Sequence, residues 1–434
     1  MVMKVKELKI GSYAELKTKK GDFRCTILES PTSEIILVKL DSGYNIGVKE
    51  EDILDVKIIK KNEDIKEKEN KEAKQKKSSK ELPNIVLIAT GGTISSRLDT
   101  KTGAVTPLTN PEELFVIYPE LLNIVNVSKV EIPFMKASEN MESDDWTKLA
   151  EIVEKYLNDK NIDGIILTHG TDFLAYTGAA LSFALKNLNK PIVLTYSQRS
   201  SDRASSDARL NLICAARAAA SEIAEVMLVG HANSSDDYCY ALLGSKVRKM
   251  HTSRRDTFRP INTEPLAKVF PDKIQILGEY RAKDKSKKVE LIGKFSDKVA
   301  LVKFYPGQDP EILEYYLKNG YKGIVVEMSG LGHVLTRGKN NWLPKLRKVI
   351  REGLVVCGAA QTLYGKLDPF VYSVQREIQD TGVIFLRDIL PETALVKMSW
   401  CFGNFKDKNK VVEKMLENVT KEYNFKLSEE QFLN

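Results

Sequence analysis

Cysteine is scarce and scattered in this 434-residue chain: its five are Cys25, Cys214, Cys239, Cys357 and Cys401, and no two form a CxxC pair. Such spacing argues against the disulfide framework that staples small secreted domains and fits a reducing compartment. Histidine is scarcer, with only His169, His231, His251 and His333, all far apart. Without an HExxH or a Cys/His cluster, no zinc site is expected. No apolar run is long enough to cross a bilayer and no signal-peptide pattern opens the chain, so a soluble, cytoplasmic protein is expected. A strong excess of one charge is also missing, since 66 Lys and Arg against 59 Asp and Glu leave a net +7. Much of that excess sits in one lysine-rich stretch, so it says little about a nucleic-acid groove.

What is present is enough for two or three domains, with a 42% hydrophobic fraction that can supply a sizeable core. Residues 1–59 read as short strands (Tyr13–Leu16, Arg24–Leu28, Glu34–Leu40, Tyr44–Val48) broken by turns at Lys20-Gly21, Ser30-Pro31 and Ser42-Gly43. Strands this short and close predict a small β-barrel of the SH3-like kind. Residues 60–82 are dominated by Lys, Glu, Asn and Gln and can bury almost nothing, which predicts a charged linker at a domain boundary. A solvated tether explains its lysines better than RNA binding does.

From Pro83 onward strands and helices alternate. Strands are expected at Ile85–Ala89, Ile124–Ile132, Gly164–Thr168, Ile192–Thr195 and Val226–Val229, with helices at Ser143–Leu157, Phe173–Lys186 and Ser206–Ser221. A second block has strands at Val299–Phe304, Gly323–Glu327 and Leu354–Cys357, and helices at Glu311–Asn319, Asn341–Glu352 and near Lys410–Glu422. This alternation predicts two α/β domains, residues 83–275 and 298–434, each built on a largely parallel sheet covered by helices. The charged, turn-rich stretch from Pro271 to Asp297 reads as their join.

Two threonine-bearing turns stand out. Ile85 to Ile94 reads IVLIATGGTI, and Gly164 to Asp172 reads GIILTHGTD. Each is a buried-strand pattern running into a Gly-rich turn with a Thr, and a helix is expected after each, most clearly the second. In an open α/β sheet the carboxyl ends of the strands line the ligand crevice, so both hydroxyls can face one small substrate. Amide hydrolysis needs a nucleophile, a base and donors for the developing oxyanion. Thr93 behind Gly91 and Gly92 is a candidate nucleophile, and the glycine N–H groups are candidate donors. Thr171 and Asp172 stand on the second turn. Lys249, in SKVRKMHT from Ser245 to Thr252, is a candidate base, because a lysine buried beside a hydroxyl can lose its charge. Asp172 can hold that lysine or bind a substrate ammonium. His169 has a plainer reading, as a hydrogen-bonded core residue. TGGT alone could be a phosphate-binding turn, but it lacks the GxGxxG spacing and no GK[ST] comes after it.

At these residues the chain resembles the bacterial-type L-asparaginase/glutaminase family, over roughly Pro83 to Trp400. The resemblance implies Thr93 as nucleophile, Thr171, Asp172 and Lys249 as a second catalytic group, and Ser138 in KASENM as the contact for the substrate α-carboxylate. Beside Ser138 the family commonly has a glutamine that helps hold the α-ammonium; here it is Glu139. The family's lid tyrosine is also missing between Ile94 and Ile117, with Thr100 and Thr102 as candidates to stand in. A loosened lid suggests activity held low until a partner closes it.

The N-terminal barrel and linker, together with QRSSDRASSDARLNL from Gln198 to Leu212, depart from plain asparaginases. Both features resemble one branch of the family, the D subunits of archaeal glutamyl-tRNA(Gln) amidotransferases. That resemblance implies release of ammonia from glutamine and its delivery to a larger partner, the E subunit, which binds Glu-tRNA(Gln) and uses ATP and magnesium. It implies no cofactor in this chain, and a homodimer with a partner on each side, hence a heterotetramer. The alternatives are a stand-alone L-asparaginase/glutaminase with an appended domain, and a non-enzymatic RNA-binding module in which the α/β part is a scaffold. Strong partner-independent asparaginase activity would mark the first. Steeply salt-dependent tRNA binding by this chain alone would mark the second.

Overall fold

A computed structural model of the chain describes residues 8–28, 30, 34–41, 45–60, 82–98, 105–107, 118–200 and 205–432. Most of the expected linker (61–81) and the lid positions Thr100 and Thr102 lie outside the described residues.

The N-terminal unit is a five-stranded antiparallel sheet of β1 (Tyr13–Thr18), β2 (Gly21–Ile27), β3 (Ile35–Leu40), β4 (Asn45–Lys49) and β5 (Ile53–Lys60). Its strand order is β4-β3-β2-β1-β5, so the last strand returns beside the first. Alternate side chains (Ala14, Leu16, Cys25, Ile27, Val38, Val48, Val56) form a separate small core, as a half-buried sheet requires. β5 was not among the expected strands.

The next unit holds β6 (Asn84–Ala89), a hairpin of β7 (Ser96–Leu98) and β8 (Val105–Pro107), β9 (Asn126–Glu131), α1 (Ser143–Leu157), β10 (Gly164–Thr168), α2 (Leu174–Ala184), β11 (Leu185–Lys186), β12 (Ile192–Thr195), α3 (Ala208–Ala219), β13 (Val226–His231), β14 (Cys239–Leu243), β15 (Val247–Lys249), β16 (Phe258–Pro260), β17 (Ala267–Val269) and β18 (Ile274–Ile276). Its eight-stranded sheet runs β18-β17-β14-β13-β12-β10-β6-β9. Strands β9, β6, β10, β12 and β13 are parallel; β14, β17 and β18 extend the edge antiparallel. In place of the helix expected after the first turn, Thr93–Ser95 forms one 3-10 turn that leads directly into the β7–β8 hairpin.

Two helices show why the second turn is rigid. α1 opens with a reciprocal cap between Glu142 and Asp145 and buries Leu149, Ala150, Val153 and Leu157 along one face. α2 is apolar all round, and every residue in it except Tyr176 is buried. A helix of that kind has to be covered on all sides. Ala179, Ala180 and Phe183 of α2 pack into the same core as Val325 and Trp400 of the C-terminal unit. The chain leaves helical geometry after Ala184, where Leu185–Lys186 pairs with β19 (Glu290–Leu291). The expected join contains two short strands, β18 and β19.

The C-terminal unit comprises β20 (Val299–Lys303), α4 (Glu311–Lys318), β21 (Gly323–Met328), α5 (Leu343–Arg351), β22 (Val355–Ala360), α6 (Ser373–Gln379), β23 (Ile384–Phe385), α7 (Pro391–Asn404) and α8 (Lys408–Leu416). Its four strands are parallel in the order β20-β21-β22-β23. α4 and α5 contribute to the core on one face, and α7 and α8 to the other. The expected terminal helix ends at Leu416 rather than Glu422, because Glu422 folds back: its carboxylate accepts the Val419 and Thr420 amides and meets the buried Lys397 amine.

All five cysteines are buried and free. Among the described residues no helix is long and apolar enough to cross a membrane, and no acidic, His or Cys cluster could hold a metal.

Candidate functional site

β6 and β10 are adjacent and in register, with Ala89 opposite Thr168. Their chains therefore leave the sheet side by side. Thr90 fixes the exit: its N–H and hydroxyl both donate to the Thr168 carbonyl, at 3.2 and 2.9 Å. On the other flank His169 N–H donates to the Thr195 carbonyl at 3.1 Å.

Glycine makes the approach of the turns possible. A methyl group placed on Gly92 would stand 2.5 Å from Gly170 N and 2.6 Å from the His169 carbonyl carbon. Gly92 also has φ +82°, which side chains disfavour. A methyl on Gly91 would lie 2.4 Å from the Lys136 carbonyl oxygen, and one on Gly170 would lie 2.9 Å from Ser138 Oγ. Three segments thus meet at van der Waals distance: TGGT, HGTD and KASEN.

The expected residues lie on or against the segments of this junction. Thr93 is half-buried and starts the 3-10 turn directly after Gly92. Thr171 is half-buried, and Lys249 Nζ donates to its hydroxyl at 2.8 Å. The same amine donates to Asp172 Oδ1 at 2.7 Å. Lys249, at the end of β15, keeps 15% of its side chain exposed, whereas Asp172 keeps 61%. The pairing thus brings a largely sheltered amine to a solvent-facing carboxylate, not to a buried one. Ser138 is 4% exposed and stands 3.4 Å from the Phe173 amide. Glu139, next to it, is exposed.

His169 is the hydrogen-bonded core residue expected of it. It is buried, with Nδ1 2.7 Å from the Gly170 carbonyl and Nε2 2.9 Å from the Thr177 hydroxyl. Burial pulls its pKa down to about 4, so the ring is neutral at physiological pH. The partners fix the tautomer: Nδ1–H donates to the carbonyl and Nε2 accepts from Thr177, whose oxygen accepts Trp146 Nε1–H at 3.1 Å. A hydrogen-bonded chain from α1 through α2 thus holds the peptide just before Thr171.

Sequence reasoning did not single out several supports. Lys136 Nζ forms a two-pronged pair with Asp145 at 2.8 and 2.9 Å, tying the KASEN loop to α1. That carboxylate raises the Lys136 pKa. Thr90, Thr177 and Trp146 were also passed over. Each is an ordinary residue type whose importance comes from its neighbours, and nothing in the linear text marks it.

A hydroxyl on a Gly-rich turn, packed through its glycine against a turn whose own hydroxyl is bonded to an amine, suits acyl transfer: one oxygen can attack while the other pair moves a proton. Comparison with known proteins bears on this arrangement. Residues 84–281 match the family described as "Asparaginase, N-terminal", residues 298–415 match "Glutaminase/Asparaginase C-terminal domain", and residues 8–59 match "GatD N-terminal domain". The chain is 44% identical to the glutamyl-tRNA(Gln) amidotransferase D subunit of Thermococcus kodakarensis over 96% of its own length and 94% of that protein's. The chain belongs to the D-subunit family of glutamyl-tRNA(Gln) amidotransferases. The D subunit of Pyrococcus furiosus is 42% identical over 97% of this chain and 96% of its own. Among solved structures, the thermostable L-asparaginase of Thermococcus kodakarensis superposes with a TM-score of 0.69 at 28% identity, covering 79% of this chain and 99% of that one. L-asparaginase I of Vibrio cholerae gives 0.68 at 25% identity, with the same coverage. Membership of the D-subunit family accounts for the segment before the two asparaginase-type units, which matches the GatD N-terminal domain.

Proposed function

We propose that this chain is the glutamine-hydrolysing subunit of a tRNA-dependent amidotransferase. The observation that carries the reading is the junction of the two turns, with Lys249 bonded to both Thr171 and Asp172 beside the Thr93 turn. In the proposed reaction Thr93 Oγ attacks the side-chain amide carbon of glutamine. The displaced nitrogen leaves as ammonia once it has gained a proton, and water then cleaves the Thr93 ester to release glutamate. Thr171 and Lys249 relay the protons, with Asp172 holding the amine. Ser138 receives the substrate α-carboxylate. Glu139 and Asp172, both exposed, supply negative charge for the α-ammonium.

The ammonia would serve a larger, tRNA-binding E subunit that activates Glu-tRNA(Gln) with ATP and magnesium, giving Gln-tRNA(Gln). Ammonia in bulk water near neutral pH is mostly protonated and cannot attack an acyl phosphate. A dry passage between the two proteins keeps it neutral, because burial disfavours the charged form. The proposed assembly is a homodimer of this chain with one partner on each side, in the cytoplasm. The full-length similarity to D-subunit proteins supports this reading over a stand-alone asparaginase.

The test is ammonia release from glutamine and from asparagine, with and without the larger partner. Glutamine hydrolysis that rises when the partner is added supports the proposal. Strong asparagine hydrolysis that is indifferent to the partner overturns it.

A further inference from the structure

The strand that carries Lys249 is held by the other α/β unit. The Ser245 hydroxyl donates to the Thr420 carbonyl at 2.8 Å, and the Ser245 carbonyl accepts from the Thr393 hydroxyl at 3.1 Å. Lys246 Nζ lies 2.7 Å from the Asp388 carboxylate, and neither side chain is more than 2% exposed. Asp388 is itself fixed, accepting from the Asn424 backbone and side-chain amides at 2.8 and 3.0 Å. Arg248 Nε lies 3.2 Å from Glu392. Glu392 is buried in the first turn of α7, where the positive end of the helix favours a carboxylate.

Within the strand, Val247–Lys249, these contacts follow strand periodicity, and Lys246 stands at the bend just before it. Successive side chains of an extended segment point to opposite faces. Lys246 and Arg248 reach the C-terminal unit, whereas Val247 packs into the core of its own unit and Lys249 reaches Thr171 and Asp172. A one-residue slip would exchange the two sets. Lysine has a flexible four-carbon stem, so it rests on one hydroxyl only where its backbone is fixed. Buried ion pairs are weak sources of stability, and their best-attested use is to specify register.

We propose that Asp388 and Glu392 are positioning residues for Lys249: through Lys246 and Arg248, the C-terminal unit sets the register at which the amine meets Thr171. The inference rests on the amide-hydrolysis reading above and deepens it. It gives the C-terminal unit a part in a reaction that these two carboxylates do not touch.

The test uses the full-length chain with Glu392→Gln, which keeps the shape and removes the charge, with Arg248→Met, and with the double variant. Misplacing the amine lowers kcat for glutamine hydrolysis by about tenfold to a hundredfold in each single variant, with KM within about twofold. The double variant is no worse than either single one, because both break the same link. Glu392→Asp restores part of the loss. A crystal structure of Glu392→Gln shows Lys249 Nζ withdrawn from Thr171 Oγ1. Unchanged kcat with only a lower Tm overturns the proposal, as does a crystal structure in which the Lys249–Thr171 bond persists. If Glu392→Gln does not fold, Thr393→Val, which removes one hydroxyl bond to Ser245, carries the same expectation at smaller size. Should the wild-type chain hydrolyse no amide even with the larger partner present, the amide-hydrolysis reading fails by itself. The crystallographic distance then still decides the positioning.

Discussion

Lys249 Nζ and the Thr171 hydroxyl lie 2.8 Å apart although 78 residues separate them, and the same amine is 2.7 Å from Asp172. One amine thus engages two adjacent side chains, Thr171 and Asp172, of a turn whose backbone touches the TGGT glycines. That relationship, with the packing that produces it, sets what substitutions at the junction should do.

In the proposed reaction, removing either member of the pair leaves the proton without a route. Thr171→Val and Lys249→Met each lower kcat for glutamine hydrolysis by about 10²–10⁴-fold, the range expected when a positioned acid–base group is lost. Steady-state kinetics on variants with wild-type circular dichroism check this. Near-normal kcat in either variant contradicts the role.

In the proposed reaction Ser138 holds the part of the substrate that does not react. Ser138→Ala therefore raises KM by about tenfold, roughly one lost hydrogen bond to a charged group, and changes kcat much less. A glutamine titration reads this directly, and an unchanged KM removes the carboxylate contact from the account.

Gly92→Ala tests the contact between turns. The added methyl meets backbone atoms at 2.5–2.6 Å on a residue with φ +82°. Backbone strain of this kind costs about 1–3 kcal/mol before any clash is counted. Loss of activity together with a lower Tm is expected. A fully active, equally stable variant would mean the turns do not meet.

His169 makes stability depend on pH. Its folded pKa of about 4 lies below the ordinary 6.5, so the unfolded chain binds the proton more readily. The stabilisation from keeping the ring neutral is complete above pH 6.5 and is lost as pH falls from about 6.5 towards 4. By linkage the loss is on the order of 3 kcal/mol. Denaturant unfolding at about pH 7 and about pH 4.5, compared with His169→Gln, measures it. A variant with the same pH slope as the wild type would contradict the assignment.

Much of this site was legible in the sequence for a physical reason. Ile165–Leu167 is a continuous apolar run because β10 is covered on both faces, and Ser143–Leu157 shows helical spacing because α1 buries one face. The THGTD turn therefore sat between two readable elements. The TGGT turn did not, since it runs into a 3-10 turn and a short hairpin without periodicity. The antiparallel edge β14, β17 and β18 was missed because three- to five-residue strands are too short to show alternation. α7 was missed because its buried set mixes Glu392, Thr393 and Lys397 with apolar residues, and those polar groups are explained only by partners far away in the chain. For the same reason the grip on the Lys249 strand could not be read from SKVRK, where Lys246 and Arg248 look like surface cations. The exposure of Asp172 was likewise a matter of tertiary placement.

The most direct measurement is ammonia release from glutamine by Thr93→Val in the presence of the larger partner. The substitution exchanges one hydroxyl for a methyl on a turn that already tolerates a β-branched residue, so folding is expected to be unchanged. The account predicts that turnover falls to background while circular dichroism and partner binding match the wild type. Turnover within a few-fold of the wild type would contradict a threonine nucleophile on that turn.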